Sequence, residues 1–189
     1  MTTANKLTIL RLLLIPVMLF FVYFEPLKTP TQILQLPLNQ LIFAIIFVIA
    51  SITDLLDGYI ARKYNQITTF GKFLDPIADK VLVLTAMLYL LHINEARMGI
   101  WAVMIVIMRE FMVTGVRLLA VDKGKVIAAS PYGKIKTAAT MVALVMFLFN
   151  DFLLPTIITD IIWYIAVLFT VISGVDYIWK NKEIVLESI

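Results

Sequence analysis

Four aspartates stand in two pairs near the middle of an otherwise apolar stretch. Asp54 and Asp57 are three residues apart, and Asp75 and Asp79 are four residues apart. On α-helices, both spacings place the two members of a pair on one face. Four carboxylates that met in one pocket would repel one another unless a cation lay between them. The pattern favours Mg²⁺ or Mn²⁺, because these ions bind carboxylate oxygens and keep positions open for water and substrate phosphates.

An alternative is that the aspartates are separate helix caps and charges at helix ends. Asp75 precedes Pro76, and an acidic N-cap followed by proline is a common start of a helix. Capping explains any one of these residues. It does not explain four of them at paired helical spacing.

Small and cationic residues lie between the two pairs. Gly58, Ala61 and Gly71 leave room for a ligand to approach the backbone, and Thr68 offers a hydroxyl. Arg62 supplies a guanidinium that can bind a phosphate through two hydrogen bonds. Together with the acid pairs, these residues predict a substrate that carries a diphosphate and a metal-assisted displacement at phosphorus.

The elements that position these residues are predicted to be membrane helices. Of the 189 residues, 61% are hydrophobic and only 15% are charged, whereas a soluble domain has about 25% charged residues. A helix needs about 20 mostly apolar residues to cross a bilayer. Six segments meet this requirement, at about 7–25, 37–61, 74–94, 99–121, 134–154 and 156–179. We therefore expect an all-α integral membrane protein that forms a single domain over residues 1–189.

The distribution of lysine and arginine predicts the orientation of these helices. The loops on one side carry only Lys28 and Arg97. Nine other cationic residues lie near both termini and the alternate loops: Lys6, Arg62, Lys63, Lys72, Lys123, Lys125, Lys134, Lys180 and Lys182. Cytoplasmic loops of membrane proteins carry the excess of positive charge. This rule places both termini and the loops around 62–73 and 122–133 in the cytoplasm. The first apolar segment has no small-residue cleavage site after it, so we expect a retained membrane helix rather than a signal peptide.

The aspartate pairs and the residues between them resemble the signature of the CDP-alcohol phosphatidyltransferase family. The matching residues are Asp54-x-x-Asp57-Gly58-x-x-Ala61-Arg62, eight further residues, and Gly71-x-x-x-Asp75-x-x-x-Asp79. Segments 5–16, 109–117 and 123–137 are similar to bacterial phosphatidylglycerophosphate synthases within that family. The resemblance implies a six-helix membrane bundle that forms homodimers in the bacterial cytoplasmic membrane, with its active site on the cytoplasmic side.

The resemblance also implies a reaction. CDP-diacylglycerol and sn-glycerol 3-phosphate would give phosphatidylglycerol phosphate and CMP by direct displacement, without a covalent enzyme intermediate. The four aspartates would bind one or two Mg²⁺ or Mn²⁺ ions, and Asp79 would also be the general base for the acceptor hydroxyl. Gly58, Arg62 and Thr68 match positions that contact the CDP group in the family. Ala61, Gly71, Asn5 and Thr8 are expected to complete that pocket.

An acceptor that carries a phosphate dianion requires a basic site. Arg109 and Arg117 lie within the fourth predicted helix, and Lys134 and Lys136 open the fifth. Placing an ionisable residue inside a membrane helix costs free energy, so such a residue is expected to have a function. We expect these four residues to bind the acceptor phosphate, although pairing with Glu110 would explain Arg109 almost as well.

Two other interpretations remain open. The same chemistry could serve another acceptor, such as serine, inositol phosphate or phosphatidylglycerol. An ion transporter would use membrane carboxylates as a path, but it favours acids at mid-span and an internal repeat. The basic residues lie within a few residues of the predicted spans, so they do not indicate a nucleic-acid partner.

Overall fold

The computed structural model describes residues 2–63, 69–122, 124, 127 and 130–186. It describes only the backbone of residues 3, 4, 55, 57–63, 69, 70, 72, 122, 184 and 185. Within this part of the chain there are eight α-helices: α1 (Thr3–Tyr23), α2 (Leu38–Lys63), α3 (Thr69–Ile93), α4 (Glu95–Met98), α5 (Ile100–Asp122), α6 (Pro131–Leu148), α7 (Thr156–Lys180) and α8 (Lys182–Leu186). The six long ones coincide with the six apolar segments to within a few residues at most boundaries. Across the described residues the only β pairing is one isolated bridge, so the all-α prediction is confirmed there.

Three of the described helical segments are long and apolar enough to cross a membrane: Asn5–Tyr23, Phe73–Ile93 and Thr156–Lys180. Leu38–Asp54 is a shorter apolar stretch. Helix α5 contains several charged residues, and α6 begins with polar turns. These two helices are therefore not apolar enough to be identified as membrane spans from composition alone. These features indicate a membrane protein. The predicted six-span arrangement and its orientation stay predictions.

The fifth predicted segment was placed too far along the chain. Helix α6 ends at Leu148, and a 3-10 segment follows at Asn150–Leu153. Its four residues all have positive φ, between 50° and 61°. Left-handed backbone costs about 1–2 kcal/mol per residue and cannot continue an α-helix. The prediction extended the segment through the polar pair Asn150 and Asp151 because apolar residues follow them up to residue 154.

The third predicted segment, 74–94, agrees with the apolar stretch Phe73–Ile93, but its helix begins earlier in the chain. Helix α3 begins at Thr69, so Asp75 lies inside the helix and is not its N-cap. Pro76 is an interior proline, which removes the hydrogen bond to the carbonyl of residue 72. The helix begins before that point. Asp75 and Asp79 therefore both occupy regular helical positions, four residues apart.

The chain divides into two compact units, Met1–Tyr89 with Val145–Leu154 and Leu90–Leu144 with Pro155–Ile189. In the first unit, α1 packs along α2. The buried face of α1 is polar at Asn5, Thr8 and Arg11 and apolar further along, at Ile15 and Met18.

Helices α2 and α3 of the first unit meet through aromatic rings. The rings of Phe43 and Tyr89 have their centroids 4.2 Å apart. Phe43 is fully buried, as are Phe47 and Ala50 further along α2. The ring contact joins α2 to the later part of α3.

In the second unit, α5 packs along α7, and α8 packs on α5. Trp163 is completely buried, and its indole N–H donates to the carbonyl of Met98 over 2.9 Å. Arg97 of α4 pairs with Asp160 of α7 at 2.8 Å. These contacts join α4 to the first turns of α7.

Candidate active site

Helix α1 holds one aspartate from each predicted pair. The hydroxyl of Thr8 donates to Oδ1 of Asp75 over 2.6 Å. The Nη1 of Arg11 lies 2.7 Å from Oδ1 of Asp54. Thr8 and Arg11 are three residues apart and share a face of α1. An aspartate from α2 and an aspartate from α3 are therefore anchored against the same short surface.

Arg11 needs this ion-pair partner because its guanidinium is completely buried. Arginine keeps its charge in proteins, and a buried charge must be paired. Asp54 supplies the pairing carboxylate, yet its own side chain remains 36% exposed. One part of this carboxylate is thus held by Arg11 while another part stays accessible to a ligand.

The other two aspartates are placed less completely. Asp79 lies one turn after Asp75 on α3 and is half-buried. Asp57 lies on α2 one turn after Asp54, but its side chain is outside the described part of the structure. Among the side chains that are described, no three acidic, histidine or cysteine groups lie close enough to hold a metal ion. The predicted four-carboxylate site therefore stays a prediction. The donor chemistry fits Mg²⁺ or Mn²⁺, because each aspartate offers hard carboxylate oxygens.

The residues predicted to bind the CDP group are partly described. Asn5 is buried on the face of α1 that also carries Thr8, and Gly71 is buried in the first turn of α3. For the other members the position is known in less detail: Gly58, Ala61 and Arg62 lie in the last turns of α2 with their side chains not described, and Thr68 lies outside the described residues.

A second group of charged residues lies in the unit that contains α5 and α6. One carboxylate oxygen of Glu110, Oε1, is 2.8 Å from Nη1 of Arg109 and 2.8 Å from Nζ of Lys136. Lys136 is buried, with 5% of its surface exposed. The pairing of Glu110 with Arg109 that the sequence left open is present. The same carboxylate also brings Arg109 and Lys136 together.

Arg109 is fitted closely between two glycines. A Cβ at Gly133 of α6 would lie 3.3 Å from Nη2 of Arg109, and a Cβ at Gly174 of α7 would lie 3.2 Å from its Cγ. Ser130 caps α6 by accepting from the N–H of Gly133 over 3.1 Å, ahead of Pro131 in the first turn. The guanidinium thus lies against the first turn of α6, where the helix carries a partial positive charge.

The two other predicted phosphate ligands do not join this group. Arg117 lies over the ring of Tyr177, with its guanidinium carbon 5.8 Å from the ring centroid. Its Nε donates to the Tyr177 hydroxyl over 3.4 Å. Lys134 is exposed in the first turns of α6. Of the four cations, the structure brings only Arg109 and Lys136 onto a common partner.

Two residues in these contacts were not assigned roles from the sequence. Arg11 is an isolated charge within the apolar run of α1, and that isolation was the signal that could have identified it. Glu110 is the only acidic residue between Ile100 and Val121. Its position next to Arg109 indicated one ion pair, but nothing in the local pattern indicated Lys136, 26 residues away.

Comparison with known proteins agrees with these features. A model of the CDP-alcohol phosphatidyltransferase family matches residues 1–172. The CDP-diacylglycerol–glycerol-3-phosphate 3-phosphatidyltransferase of Bacillus subtilis is 42% identical over 95% of this chain and 94% of its own length. A protein with the same name from Rickettsia bellii is 38% identical, and the match covers 94% of its length. Another from Haemophilus influenzae is 36% identical, and the match covers 95% of its length. This chain belongs to the CDP-alcohol phosphatidyltransferase family.

Proposed function

We propose that this protein transfers the phosphatidyl group of CDP-diacylglycerol to sn-glycerol 3-phosphate, giving phosphatidylglycerol phosphate and CMP. The observation that carries the proposal is the likeness, over 95% of the chain, to a relative named for this reaction. The group formed by Arg109, Glu110 and Lys136 supports a phosphorylated acceptor over serine, because two cations share one carboxylate and leave a net positive charge.

The proposed metal ligands are Asp54, Asp57, Asp75 and Asp79, which would hold one or two Mg²⁺ or Mn²⁺ ions. Such an ion polarises the diphosphate and neutralises the charge that builds on the departing CMP. The contacts of Asp54 with Arg11 and of Asp75 with Thr8 support this assignment, because they fix two of the four carboxylates before any ligand binds.

In the proposed reaction, Asp79 accepts the proton of the acceptor hydroxyl. That oxygen forms a bond to the β-phosphorus of CDP-diacylglycerol as the bond from this phosphorus to the CMP oxygen breaks. General-base catalysis contributes about 100- to 10,000-fold. The chain has no cysteine, and its one histidine, His92, is in the last turn of α3, far along the helix from the aspartates. This composition supports direct displacement.

The acceptor phosphate is proposed to bind Arg109 and Lys136, with Lys134 and Arg117 contributing at the periphery. The CDP group is proposed to contact seven residues: Asn5, Thr8, Gly58, Ala61, Arg62, Thr68 and Gly71. The buried positions of Asn5 and Thr8 beside the anchored aspartates support their place in this set.

The proposal includes a membrane arrangement. Six spans follow from the lengths of the apolar runs, and cytoplasmic termini and a cytoplasmic active site follow from the distribution of Lys and Arg. A homodimer follows from the family resemblance alone. The family match from residue 1 to 172 extends over parts of both compact units, which supports a single functional domain.

The reaction can be tested with purified protein in detergent and CDP-diacylglycerol, by following CMP release with glycerol 3-phosphate, serine, inositol phosphate or phosphatidylglycerol. We expect release only with glycerol 3-phosphate, and only with Mg²⁺ or Mn²⁺. Asp79→Asn should lower the rate by about 100-fold or more. Asp176→Asn is the matched control, because Asp176 pairs with Lys180 near the end of α7. CMP release with another alcohol would show that this alcohol is the acceptor. CMP release without added metal would rule out the four aspartates as ligands of a required metal ion.

A further inference from the structure

We propose that Glu110 is a positioning residue for the acceptor phosphate, since it holds Arg109 and Lys136 side by side where a phosphate can bind both. The inference rests on the proposed function and assigns a role to a residue that neither binds the metal nor touches the reacting atoms. The expected ligand is a phosphomonoester dianion.

The geometry requires a negative group at this point. Nη1 of Arg109 and Nζ of Lys136 each lie 2.8 Å from the same oxygen of Glu110. The two nitrogens are therefore no further apart than twice that distance. Two positive charges this close repel each other in a mostly buried site. The shared carboxylate offsets the repulsion and ties α5 to α6 at these side chains.

Lys136 depends on this carboxylate more than Arg109 does. Lys136 is 95% buried, because only 5% of its surface is exposed. Among the described residues, Glu110 is the only group that pairs with its ammonium. A buried ammonium that loses its charged partner is strongly destabilised at that position. Neutralising Glu110 is therefore expected to displace the Lys136 ammonium from the phosphate site.

The two cations keep hydrogen-bonding capacity for a ligand. Arginine has five N–H donors and lysine has three. Within the described part of the chain, the buried Nε of Arg109 has no hydrogen-bond partner. The close approach of Arg109 Nη2 to Gly133 also keeps the guanidinium against the start of α6, where backbone N–H groups favour anions. Glu110 thus fixes the two cations without using up their donors.

The experiment measures steady-state kinetics of the full-length protein with Glu110→Gln. We expect the KM for glycerol 3-phosphate to rise about tenfold or more, which corresponds to the loss of one charged hydrogen bond. The kcat at saturating acceptor, the KM for CDP-diacylglycerol and the half-saturating Mn²⁺ concentration should change by less than about threefold. Glu183→Gln is the matched control, because Glu183 is exposed on α8.

A double-variant comparison separates positioning from a general effect on the fold. Lys136→Gln alone should raise the same KM, and adding Glu110→Gln should raise it little further, because both changes remove the same cation. If Glu110→Gln fails to fold, Glu110→Asp keeps the charge but withdraws the oxygen by one carbon, and the same rise in KM is expected. An unchanged KM, a fall confined to kcat, or fully additive effects would overturn the inference.

A binding measurement makes the inference independent of activity. Inorganic phosphate should raise the melting temperature of the wild-type protein and should have less effect on Glu110→Gln. If the wild type released no CMP with glycerol 3-phosphate, the proposed function would fail, while loss of the phosphate effect in the variant would still support the role of Glu110. An equal phosphate effect in both proteins would count against that role.

Discussion

The guanidinium of Arg11 lies 2.7 Å from the carboxylate of Asp54 and is completely buried in the apolar helix α1. The pair joins the first helix to the first aspartate of the signature. The guanidinium keeps its charge, so it holds the Asp54 carboxylate in one orientation before any ligand binds. The first helix is therefore part of the candidate active site as well as of the membrane anchor.

Replacing Arg11 should disrupt this orientation. We expect Arg11→Met to lower CMP release about 100-fold, because a displacement of about 1 Å at a reacting group can cost that much. The free energy of unfolding should fall by about 1–2 kcal/mol, less than for two fully buried partners, because Asp54 is partly exposed and can be solvated. Activity and melting temperature in detergent measure the two effects.

A second arginine provides the control for this prediction. Arg97 pairs with Asp160 at 2.8 Å in the other compact unit. Arg97→Met should lower the melting temperature and leave the CMP release of the folded protein nearly unchanged. Equal losses of activity in the two variants would mean that Arg11 acts only on stability.

The hydrogen bond from Thr8 to Asp75 leads to a separate prediction. Thr8→Val keeps the shape of the side chain and removes the donor, so the Asp75 oxygen loses a partner at 2.6 Å. Hydrogen bonds to charged groups contribute about 1.5–3 kcal/mol. We expect CMP release to fall about tenfold or more in Thr8→Val, and we expect Thr8→Ser to retain most of it. A similar loss in both variants would show that the methyl group, and not the donor, is needed.

The sequence was sufficient for features that depend on local spacing. Apolar runs predicted all six long helices, and the intervals between Asp54 and Asp57 and between Asp75 and Asp79 predicted residues on one helical face. The end of α6 was missed because Phe152 and Leu153 are apolar and yet adopt left-handed backbone. Hydropathy does not report such a conformation.

Contacts between distant residues could not be obtained in this way. Thr8 and Asp75 are 67 residues apart, and Lys136 is 26 residues from Glu110. Periodicity says which face of a helix a residue occupies, but it does not say which helix lies opposite. The pairing of Arg109 was anticipated only because Glu110 is its neighbour in the chain.

The glycine next to Arg109 gives a third prediction. A Cβ at Gly174 would lie 3.2 Å from Cγ of Arg109, so alanine there must displace the arginine by a few tenths of an ångström. We expect Gly174→Ala to raise the KM for glycerol 3-phosphate about two- to fivefold, less than the loss that a full 1 Å displacement brings.

Gly115 is the matched control for this substitution, because a Cβ there would meet no atom within 4 Å. Gly115→Ala should leave the KM unchanged and stabilise α5 by about 0.5–1 kcal/mol through helix propensity. An unchanged KM in Gly174→Ala would show that the Arg109 stem can shift without moving the guanidinium.

The last prediction concerns the orientation of the chain in the membrane. Because the protein has no cysteine, a single introduced cysteine reports its own position without background. Ala96 and Glu183 are both exposed, in α4 and α8 respectively. With six spans and cytoplasmic termini, Ala96→Cys should react with a membrane-impermeant maleimide on intact cells, and Glu183→Cys should react only after permeabilisation. Labelling of both on intact cells would indicate an even number of spans between them, and the reverse pattern would place the acidic site outside the cell, away from the nucleotide substrate.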